Sequence, residues 1–154
     1  MTDTSRQTYP NYHAADSYPL SRTLRWTSLL AGAGVLTLLI TARILEPSAA
    51  GYGTHQQLGL PPCTSVALFN MRCPACGMTT SWALMVRGRW IESATVNAGG
   101  FLLSLIALAY LPISCYFFFW GRSSRRGWVS LALAIGLMAA LIVAIVQWCV
   151  HMLE

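Results

Sequence analysis

The chain has 154 residues, of which 55% are hydrophobic and 10% are charged. This composition excludes an ordinary water-soluble domain and is typical of proteins built from membrane-spanning helices. The formal net charge of +5 comes from ten arginines and five acidic residues, with no lysine. Because the arginines are distributed unevenly around the apolar stretches, the charge indicates membrane topology, and no nucleic-acid partner is expected.

Three apolar stretches predict three transmembrane helices. A span needs roughly 20 apolar residues to cross a hydrocarbon core that is ~30 Å thick. Arg43 interrupts the first stretch near its end, but the long arginine side chain can reach the membrane interface. The predicted spans cover residues of about 26–45, 101–120 and 128–150. The expected fold class is therefore an all-α membrane protein whose first partner is the lipid bilayer.

The loop charges predict which side of the membrane each loop faces. Six arginines less two aspartates leave +4 on the N-terminal segment and on the loop between the second and third spans. Four arginines less three glutamates leave +1 on the segment between the first two spans together with the C-terminus. Since positively charged loops stay in the cytoplasm, we expect a cytosolic N-terminus and an extracytoplasmic segment at residues 61–97.

The chain divides into a tail and one membrane domain. Residues 1–20 mix polar residues and proline without an apolar period, which predicts a disordered cytosolic tail. Residues 21–154 are expected to form a single membrane domain. Ser48-Ala49-Ala50 resembles a signal cleavage site, but the polar region before the first span is long for a signal peptide, so a retained anchor is favoured.

The residues that can carry chemistry lie between the first two spans. Residues 73–77 read Cys-Pro-Ala-Cys-Gly, and a third cysteine, Cys63, precedes them. Proline is favoured at the first position of a helix, and apolar residues follow at helical spacing. The sequence predicts a helix from about Pro74 to Arg87 that ends at Gly88. This helix is too short to cross the bilayer, so an interfacial or re-entrant position is expected.

A metal site is one interpretation of these cysteines. Two thiolates two residues apart, with Cys63 as a third ligand and His55 as a candidate fourth, would suit zinc. The spacing of this set is not that of a standard zinc finger. Met71 and Met78 flank the pair, so a Cu(I) site with soft ligands is an alternative.

Thiol–disulfide exchange is a second interpretation. Cys73 at the start of a helix would have a stabilised thiolate, and Cys76 would close the disulfide with it. No second cysteine pair that could accept the electrons is found in the sequence.

We favour a third interpretation, in which a structural disulfide or zinc clip holds the loop of a small accessory or scaffold protein. A small loop has little core of its own, so a covalent or metal link stabilises it efficiently. The sequence contains no catalytic triad and no phosphate-binding loop. If the protein is an enzyme, the activity expected is thiol–disulfide exchange through Cys73 and Cys76.

Several side chains in the second and third spans have expected structural roles. Asn97 is expected to cap the second span, and Gln147 is expected to be satisfied by water near the outer end of the third. Cys115 and Cys149 have apolar neighbours and are expected to be inert core thiols. Small residues spaced by four predict a helix-packing ridge that contacts the same chain or another membrane protein. The ridge consists of Ala132, Gly136, Ala140 and Ala144.

The cysteine motif resembles a family of small bacterial membrane proteins, domain of unknown function 2752. Residues 62–83 read P-C-x9-C-P-A-C-G-M-T-T-S-W-A, and V-R-G-R-W and V-N-A-G-G follow. The resemblance covers about Pro62 to Leu111. Thr80 stands where the family often has arginine, and Ala98 stands where it often has proline. The resemblance implies a membrane location and no established activity. We expect that membrane to be the bacterial inner membrane.

Overall fold

The computed structural model describes residues 17–69, 71–124 and 127–153. Three of its helices are long and apolar enough to cross a membrane. These helices are α1 (Arg22–Ile44), α5 (Ala98–Trp120) and α6 (Trp128–Leu153). The prediction of three transmembrane helices is confirmed, and the chain has the architecture of an integral membrane protein.

Short helices fill the connection between α1 and α5. They are a 3-10 helix (Thr54–Leu58), α2 (Thr64–Phe69), α3 (Met78–Met85) and α4 (Trp90–Val96). None of them has the length of a span, as expected for a segment at the membrane interface. Large apolar side chains on the outer faces of the spans, such as Leu30 and Ile135, are exposed. Those faces are the ones that contact lipid.

Local signals in the sequence determine where α1 begins and ends. The hydroxyl of Ser21 accepts a hydrogen bond from the Leu24 amide at 3.2 Å and caps the start of the helix. Leu45 follows the helix with an extended backbone (ψ 136°), immediately before Glu46 and Pro47. Pro47 pushes the residue before it, Glu46, out of the helical region, so the helix cannot continue past this point.

A short pair of strands joins the end of the bundle where α1 begins and α5 ends. Strand β1 (Ser17–Pro19) pairs antiparallel with β2 (Arg122–Ser124). Nearby, the Arg25 Nε donates to the carbonyl oxygen of Phe118 at 2.9 Å, which satisfies the last turn of α5. Most of the predicted tail, residues 1–16, lies outside the described residues.

Helix α3 is attached to the opposite end of α1 by one arginine. The Arg87 guanidinium donates to the carbonyl oxygens of Ala42 at 3.1 Å and Arg43 at 2.8 Å, in the last turn of α1. It also donates to the carbonyl oxygen of Ala83 at 2.8 Å, in α3, which ends two residues before Arg87. The carbonyl oxygens of Ala42 and Arg43 are in the last turn of α1 and have no partners within that helix. Arg87 therefore caps the first span while it holds α3 in place.

The small-residue ridge of α6 packs against α5 of the same chain. Ala140 and Ala144 are buried. A Cβ atom at Gly99 would lie 2.5 Å from the Ala144 Cβ and 2.7 Å from the Ala140 carbonyl oxygen. The two backbones approach closely because both surfaces lack large side chains. Ala132, at the other end of the ridge, is exposed.

Helix α1 packs against α5 at Gly32, which yields a first prediction. A Cβ atom at Gly32 would lie 2.3 Å from the Ser114 Oγ, whereas a Cβ atom at Gly34 would meet nothing within 4 Å. We expect Gly32→Ala to destabilise the protein by about 1–3 kcal/mol through overpacking. Gly34→Ala on the same helix is the matched control and should cost nothing. Thermal unfolding in detergent measures both, and equal melting temperatures would contradict the packing described.

Candidate functional site

The three cysteines of the loop segment form one cluster. The Sγ atoms of Cys63 and Cys73 are 3.6 Å apart, and those of Cys73 and Cys76 are 3.3 Å apart. All three sulfur atoms lie within 4.8 Å of one another. These separations far exceed the ~2.05 Å of a disulfide bond, so the three are free thiols. The structure thus brings together the three cysteines that the sequence singles out.

A tight turn places Cys73 and Cys76 side by side. The amide of Cys76 donates to the Cys73 carbonyl oxygen at 2.9 Å, and the amide of Met78 donates to the Ala75 carbonyl oxygen at 3.1 Å. The Cys73 amide also donates to the Cys76 Sγ at 3.3 Å. Gly77 follows with φ +84°, a conformation that suits glycine because it has no Cβ. The turn therefore directs both thiols to the same side.

This turn corrects the predicted start of the helix. Helix α3 begins at Met78 and not at Pro74, and Gly77 is its N-cap. The left-handed conformation of Gly77 interrupts the helical path, so residues 74–77 form a turn. Cys73 is consequently not at a helix N-terminus, and the predicted dipole stabilisation of its thiolate is wrong. At the other end, α3 stops at Met85, and a further turn leads to Gly88 at φ +80°.

Cys63 has the helix-start position that the sequence suggested for Cys73. It immediately precedes α2, and its carbonyl oxygen accepts from the Ala67 amide at 2.9 Å. Interactions of its sulfur with the backbone at Ser65, with the Cys73 thiol and with the backbone at Val66 lower the pKa of Cys63 to about 7. Donors that face a sulfur atom favour the thiolate.

Cys76 is the most difficult thiol of the cluster to ionise. Burial raises its pKa to about 12, and its hydrogen bond with the Cys73 thiol adds to the effect. Removing a thiolate from water is costly, whereas a neutral thiol loses little. The cluster therefore combines one thiol that ionises at neutral pH with one that stays protonated.

We expect alkylation of the metal-free protein to begin at Cys63. Its thiolate fraction, and hence its reaction rate, should rise as the pH increases through about 7. Cys76 should remain unreactive over the same range, because its pKa is about 12. Rates of iodoacetamide modification, read peptide by peptide by mass spectrometry, test this order. Cys63→Ser should remove the neutral-pH phase, and faster modification of Cys76 would contradict the assignment.

A cavity of about 500 Å³ adjoins the cysteine cluster. All three cysteines contribute to its wall, together with Tyr52 and His55. The Nε2 of His55 lies 3.3 Å from the carbonyl oxygen of Pro61. His55 shares the cavity but does not belong to the group of ligand atoms that lie within 4.8 Å of one another. Its ring would have to move towards the three sulfur atoms to become a metal ligand.

Asn97 connects the cysteine turn to the second span. Its Nδ2 donates to the carbonyl oxygens of Pro74 at 3.2 Å and Cys76 at 3.0 Å. Its Oδ1 accepts from the Gly100 amide at 2.6 Å, so the predicted cap of the span is confirmed. Asn97 is only 4% exposed. The bonds to the turn were not predicted, because partners more than 20 residues away leave no local signal in the sequence.

The C-terminal end of α6 contacts both the residue before the cysteine turn and the start of α5. The Trp148 Nε1 donates to the carbonyl oxygen of Arg72 at 2.6 Å. Gln147 accepts from the Ala98 amide at 2.7 Å and donates to the Thr95 carbonyl oxygen at 3.0 Å. The expectation that water satisfies Gln147 is therefore wrong. A protein partner replaces water because α6 packs directly on the start of α5.

Pairs of buried hydroxyl groups link the short helices behind the cluster. The Oγ atoms of Ser81 and Ser93 are 2.8 Å apart and join α3 to α4. The Oγ1 atoms of Thr54 and Thr80 are 2.7 Å apart and join the 3-10 helix to α3. All four side chains are at most 1% exposed. Buried hydroxyls with partners restrict the packing to one geometry.

The two remaining cysteines lie apart from the cluster. Cys115 and Cys149 are exposed on the surfaces of α5 and α6. The expectation that they are core thiols is wrong, because their helix faces are the ones that contact lipid. Neither belongs to the group of possible metal ligands among the described residues.

Comparison with known proteins shows what the segment around the site is similar to. No curated protein and no solved structure matches the chain. A family model described as "Protein of unknown function (DUF2752)" matches residues 63–111. That segment contains the three clustered cysteines, α3, α4 and the first half of α5. The resemblance of the motif to this family is therefore confirmed over residues 63–111.

Proposed function

We propose that this is a small integral-membrane accessory protein whose three cysteines hold one zinc ion as a structural clip. The spacing of the sulfur atoms carries the proposal. Tetrahedral zinc with Zn–S bonds of ~2.3 Å places two sulfur ligands about 3.8 Å apart. The separations of 3.3 and 3.6 Å, with all three sulfurs within 4.8 Å, are close to that value.

A zinc clip would stabilise a part of the loop segment, α2, that packs weakly against the rest of the protein. Helix α2 has no buried residue, and Leu68 and Phe69 are 70% and 69% exposed. Burial of its own side chains therefore contributes little to its position. A metal bound by Cys63 and by the Cys73–Cys76 turn would tie the start of α2 to α3. Binding energy at such a site stabilises the folded state directly.

His55 is our candidate for the fourth ligand, because its ring lines the cavity that the cysteines border. A rotated imidazole would complete a set of three cysteines and one histidine, which is a standard structural zinc set. Cu(I) is the alternative metal, since thiolates are soft ligands.

Thiol–disulfide exchange is a second candidate, supported by the order in which the thiols ionise. Cys63, with the low pKa, lies 3.6 Å from Cys73, and Cys73 lies 3.3 Å from Cys76. In an oxidised protein, the Cys63 thiolate would attack Cys73 of a Cys73–Cys76 disulfide. A Cys63–Cys73 bond would form, and Cys76 would leave and take up a proton. This order gives Cys63 the attacking role.

The test of the proposal is a metal and thiol analysis of the detergent-purified protein. We expect about one zinc per chain, and a Cys63 thiol that reacts with alkylating reagent only after the metal is chelated. Reversible oxidation of Cys73 with Cys76 in a metal-free protein would favour exchange. Three free thiols without metal and without reversible oxidation would exclude both functions.

We further propose that the cysteine cluster faces the extracytoplasmic side of the inner membrane and that the N-terminus is cytosolic. The difference in loop charge supports this orientation. After chelation and reduction, a membrane-impermeant thiol reagent should label Cys63 in intact cells, and Cys63→Ser should remove that labelling. Labelling that requires lysis would reverse the orientation.

A further inference from the structure

Two side chains, Asn97 at the start of the second span and Trp148 in the third, donate three hydrogen bonds to the backbone on which the cysteines sit. The carbonyl oxygens of residues 72, 74 and 76 each accept a hydrogen bond from a side chain of Asn97 or Trp148. We infer that Asn97 and Trp148 are positioning residues of the cysteine site, which make its ligand geometry depend on the packing of α5 and α6. This inference rests on the proposed metal site.

Asn97 acts on the turn itself. Its amide nitrogen bridges the carbonyl oxygens of Pro74 and Cys76, the residues that follow Cys73 and precede Gly77. The two carbonyls are thereby kept on one side of the turn. The same side chain accepts from Gly100, so its position is determined by the first turn of α5. A change in that turn must be transmitted to the peptide groups next to Cys73 and Cys76.

Trp148 acts on the residue before the turn. Its indole N–H donates to the carbonyl oxygen of Arg72 at 2.6 Å, and this peptide group leads directly into Cys73. On the other side, the Arg72 guanidinium lies 4.7 Å from the centre of the Tyr52 ring. Residue 72 is therefore held between α6 and the loop that contains Tyr52. These contacts therefore fix the position of the backbone that carries the Cys73 side chain.

Such contacts have a defined chemical effect at a metal site. Groups that do not touch the metal but fix its ligands typically contribute about 10–100-fold to metal affinity. Here the donors hold the backbone of the ligands and not their sulfur atoms. Their contribution should consequently appear both in metal affinity and in the tendency of Cys73 and Cys76 to form a disulfide.

The first test measures zinc affinity by competition with a chromophoric chelator. Asn97→Asp retains the acceptor for Gly100 but faces two carbonyl oxygens with a carboxylate, so we expect an affinity about 10–100-fold lower. Trp148→Phe keeps an aromatic ring without the donor and should weaken binding by a smaller factor. Wild-type affinity in Asn97→Asp would overturn the inference.

Gln147→Glu is the matched control. It makes the same amide-to-carboxylate change beside the start of α5, and it loses a donor to the Thr95 carbonyl oxygen, which is not part of the cysteine turn. It should lower the melting temperature and leave zinc affinity unchanged within about twofold. If Asn97→Asp behaves like Gln147→Glu in both measurements, Asn97 is merely structural and the inference fails.

A second readout separates this inference from the proposed metal site. In a Cys63→Ser background, equilibration with a glutathione redox buffer measures the Cys73–Cys76 disulfide equilibrium without metal. We expect Asn97→Asp to shift that equilibrium several-fold and Gln147→Glu to leave it unchanged. A wild-type protein that binds no zinc would overturn the proposed function alone. An unchanged equilibrium in Asn97→Asp would overturn the positioning role.

Discussion

Replacing Cys73 with serine is expected to reduce the zinc content of the purified protein from about one ion per chain to none. Cys73 lies 3.6 Å from Cys63 and 3.3 Å from Cys76, so its loss removes the sulfur ligand that contacts both of the others. A serine hydroxyl does not ionise at neutral pH and is a poor zinc ligand. Elemental analysis after gel filtration in detergent measures the change.

The chain offers two matched controls for this prediction. Cys115→Ser and Cys149→Ser make the same substitution at exposed positions on α5 and α6, outside the cluster. Both variants should retain a full equivalent of zinc. A Cys73→Ser protein that still contains stoichiometric zinc would contradict the assigned site, and so would the loss of zinc from Cys149→Ser.

Gly77→Ala is expected to be the most damaging single substitution in the cysteine turn. The residue has φ +84°, and an added Cβ would lie 2.7 Å from the Gly51 carbonyl oxygen and 2.9 Å from a methyl carbon of Val96. A left-handed alanine and an overpacked contact together should cost about 2–5 kcal/mol. Since the Gly51 contact is to backbone, a side-chain rotation cannot relieve it. We expect a lower melting temperature and weaker zinc binding.

Gly88→Ala separates the two causes. Gly88 has nearly the same backbone conformation, φ +80°, but a Cβ atom there would meet nothing within 4 Å. Its substitution should cost only the backbone strain of about 1–2 kcal/mol. The difference between the two variants in detergent unfolding isolates the steric contact with Gly51 and Val96. Equal losses of stability would show that this contact is absent in the folded protein.

The spans were predictable because their signal is local and chemical. A run of about 20 apolar residues must cross the bilayer as a helix that satisfies its own hydrogen bonds. The predicted and observed spans accordingly agree to within a few residues at each end. For Cys73 and Cys76, their close spacing in the sequence was enough to predict that the two thiols lie together.

The errors at the cysteine turn concern features in which two local signals compete. Proline after Cys73 favours a helix start at residue 74, whereas Gly77 favours a left-handed turn. The turn prevails because the backbone at Gly77 packs against Gly51 and Val96. The cysteine that immediately precedes a helix is therefore Cys63 and not Cys73. The prediction for Gln147 was wrong for another reason: backbone groups of Ala98 and Thr95 take the place of the water that was expected to satisfy its side chain.

By itself, the sequence determined the class of the protein, the three membrane helices and the position of its cysteines, because hydropathy and close spacing act within a few residues. The tertiary structure decided how the cysteines meet. It brought Cys63 to Cys73, and it attached their loop to three spans through Arg87, Asn97 and Trp148. These bonds join residues 10 to 76 positions apart, and only the packing of the helices brings such distant groups within hydrogen-bond reach.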